Sequence, residues 1–185
     1  MAVGVSYFTT MDGDEVNEGA HGKIFKTPFG VVKIGKRRSK TLDTVTQRRI
    51  HGFAETVLSN PKYTTLRVPR LSTDVTRYEM ELVDTGAEIW QPTNESLVQE
   101  LVCFWTEMWS LGFALYDFEL YQQPDGRVVL LDFDATGFRM MNGSESIHIQ
   151  GKNIAPCDFF LHPCFPPDFE KYLVHLRLPI GKRNI

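Results

Sequence analysis

Long apolar runs are missing from this 185-residue chain. No stretch of about 18 hydrophobic residues occurs, so no transmembrane helix is expected. The opening MAVGVSYFTTMDGDE has neither a basic lead nor an apolar core, and no secretory signal is expected there. On both counts the expected location is the cytoplasm. A basic excess is missing too. The formal net charge is -3, which argues against nucleic acid as a partner, since such binders carry a basic excess or a basic face. Cysteine is scarce. Cys103, Cys157 and Cys164 make an odd, sparse set that fits a reducing compartment rather than a disulfide framework. Cys157, His162 and Cys164 stand near one another, but two thiols and one imidazole without paired spacing make no zinc motif, and packed or surface thiols are expected. Internal repeats and low-complexity tracts are absent as well.

What is present is an ordinary globular composition. With 42% hydrophobic and 23% charged residues the chain has apolar material for a core and is not a disordered sequence. Ile24-Phe25 and Val31-Val32-Lys33-Ile34 flank the turn Thr27-Pro28-Phe29-Gly30 and predict a hairpin. Leu42, Val45, Ile50, Phe53, Val57 and Leu58 form a broken stripe of helical period, stopped by Asn60-Pro61. Leu66 to Leu71 and Tyr78 to Val83 read as strands, and Asp84-Thr85-Gly86 breaks the pattern. Asn94 to Leu111 is the clearest helix: Asn94 can cap it, Leu97, Leu101, Phe104, Met108 and Leu111 repeat at threes and fours, and Gly112 follows its end. Phe118 to Tyr121 and Arg127 to Phe133 read as strands about Gln123-Pro124-Asp125-Gly126. The stretch from Ala135 to Ala155 shows no clear pattern, and Asp168 to Leu178 reads as a short last helix. The fold class expected is α+β, with a sheet lobe first, a helical lobe second and a hinge near Asp84.

Several residues point to phosphate chemistry, which needs close backbone approach, a cation and a metal-holding carboxylate. Gly19 and Gly22 lie in a short loop ahead of the hairpin, where missing side chains let amides near phosphate oxygens. Lys33 sits on an apolar strand and, pointing inward, needs an anion; Glu55 on the next helix is the expected partner. Four aliphatic residues, Val128 to Leu131, run straight into Asp132, and Asp117 lies fifteen positions earlier. Two acids at adjacent strand ends suit a metal ligand and a base. Each feature has a plainer reading: a simple turn, two solvated charges, a pair of capping aspartates.

Taken together these residues resemble the eukaryotic-type protein-kinase superfamily, including its atypical members. Asn17 to Ile24 is similar to the glycine-rich loop, Val31-Val32-Lys33 to the end of V-A-I-K, and Glu55 falls where the helix glutamate belongs. Met80 matches the gatekeeper and Glu81 to Val83 the segment that meets adenine. Asp117 corresponds to the catalytic acid, Gln122 to the metal-binding Asn, and Asp132-Phe133-Asp134 to D-F-G. The resemblance implies a two-lobed fold with a β-rich first lobe over 1–83 and a truncated helical second lobe over 84–185. It implies ATP and Mg²⁺ as ligands, with Lys33, Asp117, Asp132 and Gln122 as the working set. Leu115 and Tyr116 replace the family's His and Arg, and no A-P-E follows. An alignment anchored on Asp132 instead moves the catalytic position to Ala114 and the Asn position to Glu119. Minimal kinases of this sort resemble those that bacterial pathogens inject and large viruses encode, several of which need a protein activator. Three readings stay open: a phosphotransferase acting on a hydroxyl, a pseudokinase that docks a protein partner, and a structural part of a larger, viral assembly. The basic run Lys36 to Lys40 is a candidate docking surface, with a solvated loop as its plainer reading.

Overall fold

The computed structural model describes residues 15–18, 22–35, 42–89, 92, 94–115, 118–142, 144–150 and 152–154. It is an α+β arrangement of two helices and three small sheets. The first sheet joins β1 (Glu15–Glu18), β2 (Gly22–Lys26), β3 (Gly30–Gly35) and β5 (Glu79–Glu81) in that order. The expected hairpin is β2–β3, with Ile24 opposite Lys33 and Phe25 opposite Val32. Helix α1 (Thr44–Leu58) follows, opened by Asp43, whose carboxylate accepts from the Thr46 N–H.

The predicted strand at Leu66 to Leu71 survives only as β4 (Leu66–Arg67), and it leaves the first sheet to pair in parallel with β8 (Val128–Leu131). Pro69 has no N–H to continue a ladder. Beyond it the chain returns to β5: the Glu81 N–H donates to the Arg70 carbonyl, and Leu71 bridges Met80. Helix α2 (Glu95–Ser110) has the Asn94 cap read from sequence, bonded to the N–H groups of Ser96 and Leu97. Gly112 just beyond it has φ 94°, the left-handed conformation that glycine adopts without cost. The second predicted hairpin is β7 (Glu119–Gln122) against β8, Glu119 opposite Leu131.

The stretch expected to be patternless is instead a third sheet. It orders β11 (Lys152–Ile154), β10 (Ser144–Ile149), β9 (Gly137–Asn142) and β6 (Phe113–Ala114). Among the described residues α2 is the one helix after position 84, so that half is richer in strand than expected. The helix read at Asp168 to Leu178 lies outside the described residues, as do Cys157, His162, Cys164 and the run Lys36 to Lys40.

One apolar core serves all of this. Ile50, Ala54 and Leu58 of α1 meet Leu101, Phe104, Trp105 and Met108 of α2, then Leu120, Leu130 and Phe133 from the hairpin side. Glu100 ties α2 to the chain ahead of β4, its carboxylate accepting from the N–H groups of Thr64, Thr65 and Leu66 and from the Thr64 hydroxyl. The core therefore runs across the expected boundary at residue 84 without a seam. No described helix is long and apolar enough to cross a membrane.

Candidate functional site

A cavity of about 280 Å³ opens between the first sheet and the β7–β8 hairpin. Strand alternation builds its upper wall. Residues two apart on a strand share a face, and so do residues paired across strands. Val31 and Lys33 of β3 therefore stand with Ile24 opposite Lys33 and Met80 opposite Val31, while Val32 between them is buried on the other face. The Lys33 N–H donates to the Tyr78 carbonyl and so brings Tyr78 into the same row. The lower wall is Glu119, Tyr121, Leu131 and Asp132, with Leu120 turned into the core. Residues 81–83 and Thr85 close one edge.

Lys33 lines the cavity. Its ammonium is 2.8 Å from Asp132 Oδ1 and 3.6 Å from Asp134 Oδ2, and its side chain is only 13% exposed. Asp132 holds φ 63°, a left-handed conformation that costs a non-glycine residue about 1 kcal/mol or more and that concentrates at functional sites. Its Oδ1 also receives the Asp134 N–H at 3.3 Å. Asp134 is buried, and its carbonyl accepts from the Leu42 N–H at the head of α1. The turn thus aims one carboxylate at the cavity and fastens the chain to the helix in front of it.

The expected Lys33–Glu55 pair is not formed. Glu55 shares a face of α1 with the residue four positions before it, but its carboxylate accepts from the Leu71 N–H at 3.5 Å. One turn earlier on α1, His51 reaches the cavity instead. Its Nε2 is 2.7 Å from the Pro69 carbonyl and its Nδ1 3.0 Å from the Tyr78 hydroxyl. A carbonyl only accepts, so Nε2 carries the hydrogen and Nδ1 receives the tyrosine proton. Burial pushes the His51 pKa down to about 4, which keeps the ring neutral. Its ring also packs on Phe133, centroids 5.3 Å apart.

Gln122 is likewise displaced. It faces Val128 at the turn end of the hairpin, and its amide donates to the Arg127 carbonyl. Three residues back along the strand, Glu119 lines the cavity, as does Asp132, the residue after its strand partner Leu131. Ala114, the catalytic position in the alignment anchored on Asp132, is wholly buried. The Tyr121 hydroxyl donates to Glu119 at 3.0 Å; burial first and this bond second push the phenol up to about 12.

Of the remaining expected residues, Met80, Glu81 and Val83 are in the wall. Gly22 opens β2, where a Cβ would stand 2.8 Å from the Ile34 carbonyl oxygen, so close strand approach already requires glycine there. Gly19 and Asp117 lie outside the described residues. His51, Tyr78 and Tyr121 were not anticipated. The period-two alternation of Glu119-Leu120-Tyr121 was the available signal for the last.

Among the described residues no group of three or more His, Cys, Asp or Glu stands together as a complete metal cage. Asp132 with Glu119 fits Mg²⁺ in its other usual mode, one or two carboxylates completed by phosphate oxygens and water. Neither family models, curated proteins nor solved structures gave a match to this chain.

Proposed function

We propose that the chain binds ATP with Mg²⁺ in this cavity and transfers the γ-phosphoryl group to a hydroxyl, on a protein. The observation that carries the reading is the Lys33–Asp132 contact in a largely apolar cavity whose edge is residues 81–83. Ile24, Val31 and Leu131 suit the faces of a purine. Beyond Glu81 the strand ladder ends, and Leu82 and Val83 line the cavity edge, where their main chain would meet the base.

The charge balance explains why a metal belongs with the nucleotide. Asp132 and Asp134 bring two carboxylates to one ammonium, so a bare polyphosphate would be repelled. When bound, Mg²⁺ would offset the charge of the phosphates. Lys33 would orient the phosphates, and Asp132 with Glu119 would hold the metal. In the transfer the bond from γ-phosphorus to its bridging oxygen breaks, ADP leaves, and the acceptor oxygen bonds to phosphorus. The acceptor proton passes to a carboxylate, for which Asp117, two positions before Glu119 in sequence, is the candidate.

The pseudokinase reading has one observation in its favour: Lys33 and Asp132 already satisfy each other, and a nucleotide must part them. Thermal melting with ATP and Mg²⁺ tests binding, and turnover separates the two readings. At a hundredfold excess over Kd the midpoint should rise by about 5–10 °C. ATP without metal should give little shift, and Asp132→Asn should lose the metal-dependent part. No shift under any condition would sink the phosphotransferase reading and leave the docking module; a shift without turnover would also favour the docking module.

A further inference from the structure

Residues 82–84 follow β5 without a strand partner, and Leu82 and Val83 line the cavity edge, yet both ends of this connector are tied to one side-chain pair. At its head, the Glu81 carboxylate accepts from Arg67 Nη1 and from Arg70 Nε, each at 2.7 Å. At its tail, the Asp84 carbonyl accepts from the Gln123 side-chain amide at 3.2 Å. The two ties meet, because Arg67 Nε donates to Gln123 Oε1 at 2.6 Å. Gln123 is itself fixed. It is buried, its N–H donates to the Arg127 carbonyl, and its carbonyl accepts from the Gly126 N–H, which sets it in the β7–β8 turn. Arg67 is carried on β4, paired to Val129.

We propose that Arg67 is a positioning residue for the ligand: through Glu81 and Gln123 it holds the connector 82–84 at a set distance from the lower wall, so that the main chain of Leu82 and Val83 meets the base in a fixed geometry. The identity of the ligand rests on the ATP reading above; the bracing of the connector does not. Guanidinium suits the task because its rigid fork serves two acceptors at once, which an ammonium on a flexible stem does not. The Arg70 arm is weaker, its side chain being 75% exposed, whereas that of Arg67 is 24% exposed. Burial alone would raise the Glu81 carboxyl, but the bonds from Arg70 and Arg67 outweigh it and leave the group below its ordinary range. The tie therefore stays charged on both sides at neutral pH. Pre-set geometry matters to a ligand because each loose degree of freedom must be frozen on binding.

The test compares Arg67→Met with Arg70→Met by two readouts. The first is the backbone amide order parameters of Leu82, Val83 and Asp84 in the ligand-free protein. The second is titration with adenosine and with ATP plus Mg²⁺. In Arg67→Met the three amides should fall from rigid values near 0.85 to below about 0.6 while those of α2 stay put. Adenosine and ATP should both bind about tenfold more weakly, since the loss is at the base end. Arg70→Met should change either readout less than twofold. Order parameters unchanged in Arg67→Met would overturn the proposal, as would loosened amides with undiminished adenosine affinity. If Arg67→Met does not fold, Gln123→Leu cuts the same tie from the other side and is judged by the same two outcomes. A wild-type protein that binds neither ligand would remove the ATP reading, and the bracing would then stand or fall on the order parameters.

Discussion

At the scale of single residues, the chemistry of the site depends on groups whose burial sets their charge. His51 is the clearest. Its ring titrates near 6.5 in an unfolded chain and at about 4 here. Between those values the unfolded chain binds more protons, so stability is whole above about pH 7 and is lost as pH falls through that window. The loss expected from this group is about 1.4 kcal/mol by pH 5.5. Urea midpoints at pH 7.5 and 5.5 check it, and His51→Gln, which keeps a donor for Pro69 but does not titrate, should show a flatter profile. Glu100 is a second such group. Burial would raise its carboxyl, but the N–H groups of Leu66, Thr64 and Thr65 and the Thr64 hydroxyl hold it lower. Its contribution is present above the ordinary carboxylate range and fades as pH drops through the depressed folded value. Glu100→Ala leaves those buried N–H groups without acceptors and should cost about 2–4 kcal/mol in denaturant melts. At this scale Lys33 and Asp132 were legible from sequence, because a lysine in an apolar strand and an acid at a strand end each need a partner. Their pairing with each other was not legible, since Glu55 was nearer in sequence and only the tertiary structure sets its carboxylate against the Leu71 N–H instead.

At the scale of elements, both helices and both principal hairpins followed from capping, period and turn residues. The third sheet did not. Asn142-Gly143 is a hairpin signal, but it sits among serines and a glutamate, and only Ile147 and Ile149 mark the apolar face. Those two isoleucines are buried, and Gly137 makes room for them: a Cβ there would stand 2.8 Å from the Ile147 side chain. Gly30 shows the same principle beside the site. A Cβ at this position would overlap the Met80 carbonyl oxygen and come 2.5 Å from the Leu82 nitrogen. Gly30→Ala should therefore push β3 away from β5, cost about 1–3 kcal/mol, and weaken nucleotide binding more than it lowers stability. Melting and titration of the same variant separate the two effects. Asn94→Ala, by contrast, should cost about 1 kcal/mol at the head of α2 and leave ligand binding unchanged.

At the scale of the whole molecule, one continuous core governs how the halves respond to each other. Phe104 on α2 is 1% exposed and belongs to the cluster that also holds Ile50 of α1 and Leu130 of β8. Phe104→Ala should cost about 3–5 kcal/mol and move all probes together, because no seam divides the core. Circular dichroism and tryptophan fluorescence would be followed through the same melt; separate midpoints would show two independently folding lobes instead. Among the described residues, the sequence by itself determined where the two helices run, that Asn94 caps the second, which residues make the two main hairpins, and that the class is α+β. Those are local matters of period, turn geometry and backbone donors, written within a dozen or so neighbouring residues. The tertiary structure alone decided that β4 pairs with β8, that Glu119 rather than Gln122 lines the cavity, that His51 rather than Glu55 reaches it, and that Arg67 links Glu81 to Gln123. Each of these depends on the rotation of one element against another, and that rotation is set by how distant apolar faces fit into one core.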